Sequence, residues 1–142
     1  MINGSFRKYL EEAIGSDNAL VAFSAFESPA STSVRKNPFK AGLCPEGRQV
    51  PWCVHGRLLD ERPVFTLDPH FHAGAYYVQE AGSMYLEKVI SEHIKNNQIV
   101  VDLCAAPGGK STHLANLISK DSLLICNEAM PARANILHEN MC

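Results

Sequence analysis

The sequence lacks most of the features that would classify it at once. Acids and bases nearly balance, 15 against 13, so the formal net charge is -2 and no global cationic field marks a nucleic-acid binder. No apolar run approaches the roughly 18 residues of a membrane span. Charges also interrupt Met1 to Gly15, where a secretory leader needs an apolar stretch. The five cysteines, at positions 44, 53, 104, 126 and 142, are odd in number and show no paired spacing. That argues against a disulfide framework and points to a reducing, cytoplasmic setting. No C-x-x-C pair occurs. Cys44, Cys53, His55, His70 and His72 offer ligand chemistry, but their spacing matches no common zinc site, and no metal is expected. There are no repeats and no low-complexity segments.

What is present suits one domain or two small ones. At 142 residues with 46% hydrophobic content, the chain can bury a core. Charge is uneven along it. Between Thr32 and Leu59 five bases (Arg35, Lys36, Lys40, Arg48, Arg57) face one acid, Glu46. Such a patch is compatible with phosphate contact, and equally with a solvated surface.

Apolar periodicity predicts a helix over Ser5–Ile14, with Phe6, Leu10, Ala13 and Ile14 on one face. Gly15 ends it, and Asp17 is placed to cap a second helix through Phe26. Short strands are expected at Thr32–Arg35, Gln49–Val54, Gly56–Leu59 and Val64–Leu67, with a loop at His70–Gly74. Residues 80–95 carry a helical pattern. Then the pattern changes. Ile99–Cys104 has too few polar residues for a half-exposed strand, which suits a parallel sheet covered on both faces. A helix over Lys110–Ile118, a strand over Leu123–Cys126 and a helix over Pro131–Glu139 complete a parallel βαβ unit with a second helix.

The bend between the first of these strands and its helix is the most informative stretch: Ala105-Ala106-Pro107-Gly108-Gly109, within VVDLCAAPGGKSTHLA. A phosphate loop of the G-x-x-x-x-G-K-[ST] type would need glycine at 104, where Cys104 stands. A G-x-G-x-x-G dinucleotide fingerprint is absent too. A third reading is S-adenosylmethionine, with small residues letting the backbone approach the ligand at the strand's carboxyl end. Glu128 lies 20 positions after Gly108 and just beyond the next strand, the spacing of ribose-binding acids in related nucleotide folds.

Four stretches carry a resemblance. DLCAAPGGKSTHLA is similar to the first motif of the RNA cytosine-C5 methyltransferases of the RsmB/RsmF type, the Sun-domain family. YYVQEAGSMYL resembles the segment preceding that motif, SVRKNPFK the strand and linker of the N-terminal module, and NEAMPARANILHENM the second motif. Their order and Glu128 lean toward RsmF-like members. The resemblance implies an α/β architecture: a small N-terminal α+β module over 1–70, then over 71–142 the first βαβα part of a Rossmann-like S-adenosylmethionine-dependent methyltransferase sheet, truncated. It implies S-adenosyl-L-methionine as cofactor, held by Cys104, Ala105, Ala106, Pro107, Gly108, Gly109 and Lys110, with Glu128 on the ribose. Lys110 is placed near the target base, Arg133 near the cofactor pocket, and Gln79, Ser83 and Met84 at its rim or in helix packing. The implied partner is RNA, ribosomal or transfer, with no membrane.

In that family a cysteine thiolate adds to carbon 6 of cytosine to activate carbon 5, and a second cysteine helps release the product. They lie in Pro-Cys and Thr-Cys sequences, and neither dipeptide occurs here; Cys44 precedes Pro45, the reverse order. Cys104 reads as a small buried apolar residue. The expectation is therefore a fragment carrying the cofactor loop without the nucleophile, itself inactive. Uncovered strand edges in so small a sheet point to a homo-oligomer.

Overall fold

The computed structural model describes residues 3–142. The chain divides into two compact units, Met1–Ser31 and Thr32–Cys142.

The first unit is a helical pair. Helix α1 (Gly4–Ile14) is capped by the Asn3 side chain, which accepts the Ser5 N–H at 2.9 Å. Gly15, at φ +83°, donates its N–H to Glu11 and ends α1, and it is also the N-cap of α2 (Ser16–Glu27). Asp17 thus lies in the first turn of α2 rather than at its cap. Phe6 packs on Phe26, and the Arg7 guanidinium lies 4.5 Å from the Phe23 ring.

The second unit holds two sheets. Four antiparallel strands are ordered β2-β3-β1-β4. They are β1 (Thr32–Lys36), β2 (Arg48–Gln49), β3 (Gly56–Leu59) and β4 (Tyr76–Val78). β1 is central, pairing Val34 with Arg57 on β3 and Arg35 with Tyr77 on β4. The expected strand over 49–54 stops at Gln49. Pro51 supplies no N–H to a ladder, and the chain turns instead, with Cys53 N–H donating to Val50 and Gly56 N–H to Cys53. Val64–Leu67 is not a strand. Phe65–Leu67 forms one 3-10 turn that buries Phe65. Asp68 then accepts the His70 N–H at 2.8 Å and, with Pro69 at the first position, caps a single helical turn, α3 (Pro69–His72), where a loop was expected. The core of this sheet joins Val34, Phe65, Ala75 and Tyr76. A second cluster joins Val50, Cys53, Ala81 and Met84.

The long helix expected over 80–95 is much shorter. Glu80 accepts the N–H groups of Gly82 and Ser83 and so acts as a cap rather than as a helical residue. A 3-10 turn, Gly82–Tyr85, leads into α4 (Leu86–Ser91).

The other sheet has two parallel strands, β5 (Ile99–Asp102) and β6 (Leu123–Cys126), followed by α5 (Gly109–Leu117) and α6 (Pro131–Met141) respectively. Parallel pairing and both helices match the sequence reading. Burial does not. Ile99 is 71% exposed and Val101, Leu123 and Ile125 are also exposed, so the covered sheet inferred from apolarity is not seen among the described residues. The fold is α/β, an α+β part followed by the βαβα beginning of a Rossmann-like sheet.

Candidate cofactor site

β5 ends where its own aspartate turns the chain. Asp102 accepts the Cys104 N–H through Oδ1 and the Ser111 hydroxyl through Oδ2, at 3.2 and 2.7 Å. The strand therefore stops two residues short of Cys104. Cys104 is exposed, not the buried apolar residue expected from its composition. Beyond it the Ala105 N–H donates to Asn127 at 2.9 Å, tying the loop to the end of β6. Ala105, Ala106 and Gly108 are buried, while Pro107 and Lys110 are exposed.

Gly108 carries the bend. Its φ of +116° is open to glycine and strained for other residues, and a Cβ there would meet Asn140 at 3.2 Å. It precedes the first turn of α5 without a side-chain cap. The helix start thus has no capping side chain, an arrangement suited to a negatively charged ligand group. Gly109 is needed for a different reason: a Cβ would sit 3.3 Å from the Tyr77 ring, so α5 packs closely on β4.

Three expected site residues converge across β5 and β6. The Glu128 side chain is 6% exposed, accepts the Met130 N–H at 3.0 Å, and lies 3.5 Å from the Arg133 guanidinium. Arg133 donates in turn to the Ala106 carbonyl at 2.7 Å. Asn140 similarly donates to the Pro107 carbonyl. The strand ends thus carry a loop of small residues with a carboxylate held beside it.

The remaining candidates fall elsewhere. Met84 is fully buried in core packing, and the Ser83 N–H serves Glu80. Gln79 is buried and holds Arg35. Arg35 itself is only 2% exposed, so it leaves the surface patch that the sequence suggested. Burial lowers its pKa to about 10, against opposing attraction from Cys53 and Glu87.

The five residues weighed as zinc ligands do not gather. Only Cys53 joins a compact group, with Glu87 and His113, whose ligand atoms lie within 4.8 Å of one another. His113 Nε2 is 2.9 Å from Glu87 and 3.8 Å from the Cys53 sulfur. Burial and the neighbouring Glu87 push the Cys53 thiol up to about 12. Burial lowers the His113 pKa against the pull of Glu87. The Glu87 carboxyl lies below its usual range, because bonds from Val54 N–H, Cys53 and His113 outweigh burial. A neutral thiol and imidazole against one carboxylate, with the Arg35 cation beside them, form a charge-balanced hydrogen-bonded network rather than a cation cradle. Sequence spacing had no means of finding it, since its members come from the turn after β2, from α4 and from α5.

Two family profiles match the chain: the N-terminal domain of 16S rRNA methyltransferase RsmF over residues 2–81, and 16S rRNA methyltransferase RsmB/F over residues 89–142. The ribosomal RNA small subunit methyltransferase F of Shewanella frigidimarina is 29% identical over 99% of this chain and 32% of its own length. That of Shewanella oneidensis is 32% identical over 83% of this chain and 27% of its own. A crystal structure of a methyltransferase homolog from Pyrococcus horikoshii superposes with a TM-score of 0.73 at 29% identity, covering 90% of this chain and 45% of that one. The chain thus spans about a third of the length of the curated relatives it matches.

Proposed function

This chain belongs to the RsmB/RsmF family of 16S rRNA methyltransferases, on its RsmF side, and from that premise we propose that it carries part of the S-adenosyl-L-methionine site of an RNA cytosine-C5 methyltransferase. The observation that bears most weight is the convergence of the Ala106 carbonyl, Arg133 and the nearly buried Glu128 carboxylate at the carboxyl ends of β5 and β6. In this reading Glu128 accepts hydrogen bonds from the two ribose hydroxyls. Residues 104–110 supply the bare backbone, and Arg133 holds Glu128 and the loop together. The cofactor, when bound, supplies an electrophilic methyl group.

Residues 1–70 form the N-terminal module in this proposal and 71–142 the beginning of the methyltransferase domain. Lys110, exposed in the first turn of α5, faces the reacting base, where its charge would stabilise the activated ring. Ribosomal RNA is the substrate suggested by the relatives' names. Because these 142 residues contain neither a Pro-Cys nor a Thr-Cys dipeptide, the chain is proposed to transfer no methyl group by itself. Two-copy association through the exposed β5 and β6 surface is proposed as well.

Calorimetric titration with S-adenosylmethionine, S-adenosylhomocysteine and ATP tests the reading. Heat from the two sulfur ligands and none from ATP is expected. Binding of ATP alone would replace this reading with a phosphate-loop one.

A further inference from the structure

Arg35 is almost wholly buried, and no carboxylate lies within ion-pair distance of it among the described residues. Glu87 offsets the charge from a distance, so the buried N–H groups of Arg35 must be met by uncharged acceptors. Its Nε donates to the Gln79 side-chain oxygen at 2.8 Å. Its Nη2 donates to Thr112 Oγ1 at 2.7 Å and to the Gly109 carbonyl at 3.3 Å. The Thr112 hydroxyl donates onward to the Gly108 carbonyl at 2.8 Å. A continuous relay thus runs from β1 through Arg35 and Thr112 to the glycine that bends the loop.

The sheet end of the relay is fixed as well. Gln79 N–H donates to the Ser33 carbonyl, and the Ser33 hydroxyl donates to the Gln79 carbonyl at 2.6 Å, both across the β1–β4 edge. Gly109 presses against the Tyr77 ring on the same side. The planar guanidinium is suited to this task, because its fork serves acceptors on two elements at once.

We propose that Arg35 is a positioning residue: it sets the loop 104–110 against the antiparallel sheet, so that cofactor affinity depends on a side chain outside the loop. The functional half of this rests on reading that loop as the cofactor site.

Hydrogen exchange of the 142-residue chain, resolved by segment, tests it with R35K, R35M and T112V. The two arginine variants are expected to speed exchange over residues 105–113 by about tenfold or more while β1 and β3 keep their protection. T112V should show a smaller acceleration confined to the same segment. Lysine should fail to rescue, since one ammonium cannot span Gln79 and Thr112. Unchanged exchange over 105–113, equal acceleration in every strand, or full recovery in R35K would each overturn the proposal. If R35M does not fold, R35K and T112V decide. Titration with S-adenosylhomocysteine separates the two readings. No binding by the unmutated chain removes the cofactor reading and leaves the exchange result standing. Equal binding by unmutated and R35K chains removes the functional half of the proposal.

Discussion

The four-stranded sheet and the two-stranded sheet lie in one compact unit but are built on opposite terms. In the first, β1 buries Ser33, Val34 and Arg35 in succession, Phe65, Ala75 and Tyr76 pack with Val34, and Val50 and Met84 anchor a second buried cluster. In the second, alternate residues of both strands face outward and the ordered detail sits at the carboxyl ends: Asp102 on Ser111, Arg133 on Ala106, Glu128 on Met130. One region supplies stability, the other a shaped loop. The buried relay from Arg35 to Gly108 lets the second borrow rigidity from the first.

Substitutions can break that contrast. Met84→Ala, at a fully buried core site, should cost about 2–5 kcal/mol of unfolding free energy in urea titration. A cost under about 1 kcal/mol would mean that the first sheet is not the stabilising one. Asp102→Ala removes the partner of both Ser111 and the Cys104 N–H. It should cost about 1–3 kcal/mol and loosen the loop in exchange measurements, whereas a core defect would loosen β1.

The network of Cys53, Glu87 and His113 gives a pH test. His113 is held neutral by burial, its folded pKa below the ordinary histidine value of 6.5. The unfolded chain therefore takes up the proton first as pH falls, and stability drops on acidification through that value. Thermal midpoints should fall between about pH 8 and pH 5.5 and fall less in His113→Gln. Glu87 adds its own loss only at lower pH, where its depressed carboxyl protonates.

The smallest effect belongs to the exposed strands. Ile99→Thr should change the stability of the isolated fold by about 0.5 kcal/mol or less. If this surface pairs with a second copy, sedimentation at low micromolar concentration will show a dimer or larger species that shifts toward monomer in the variant. A monodisperse monomer for the unmutated chain would contradict self-association.

Much of this architecture was legible because local chemistry agreed with global structure. The β5–loop–α5–β6–α6 order follows from apolar runs punctuated by Gly108 and Pro131, and the structure keeps it with the element ends moved by a residue or two. Failures have physical causes. β4 was missed because Tyr76–Val78 is only three residues long and owes its strand to pairing with β1. The helix over 80–95 was overextended because apolar spacing cannot tell a Glu80 cap from a helical Glu80. Apolar β5 and β6 implied coverage, but composition cannot say what covers a face. Arg35 read as surface charge because nothing in the sequence shows that Gln79 and Thr112 await it. Glu128 was singled out by its spacing and Arg133 by the family resemblance, and the chain of contacts from Glu128 through Arg133 to Ala106 emerged only in three dimensions.

The most direct test of the central claim is amide chemical-shift mapping of the chain with about 1 mM S-adenosylhomocysteine, a concentration that detects even millimolar affinity. Shifts confined to Ala105–Lys110 and the neighbourhood of Glu128, weakened in Glu128→Ala and not reproduced by ATP, are the expected result. Shifts that persist unchanged in Glu128→Ala, or that ATP reproduces, would contradict it.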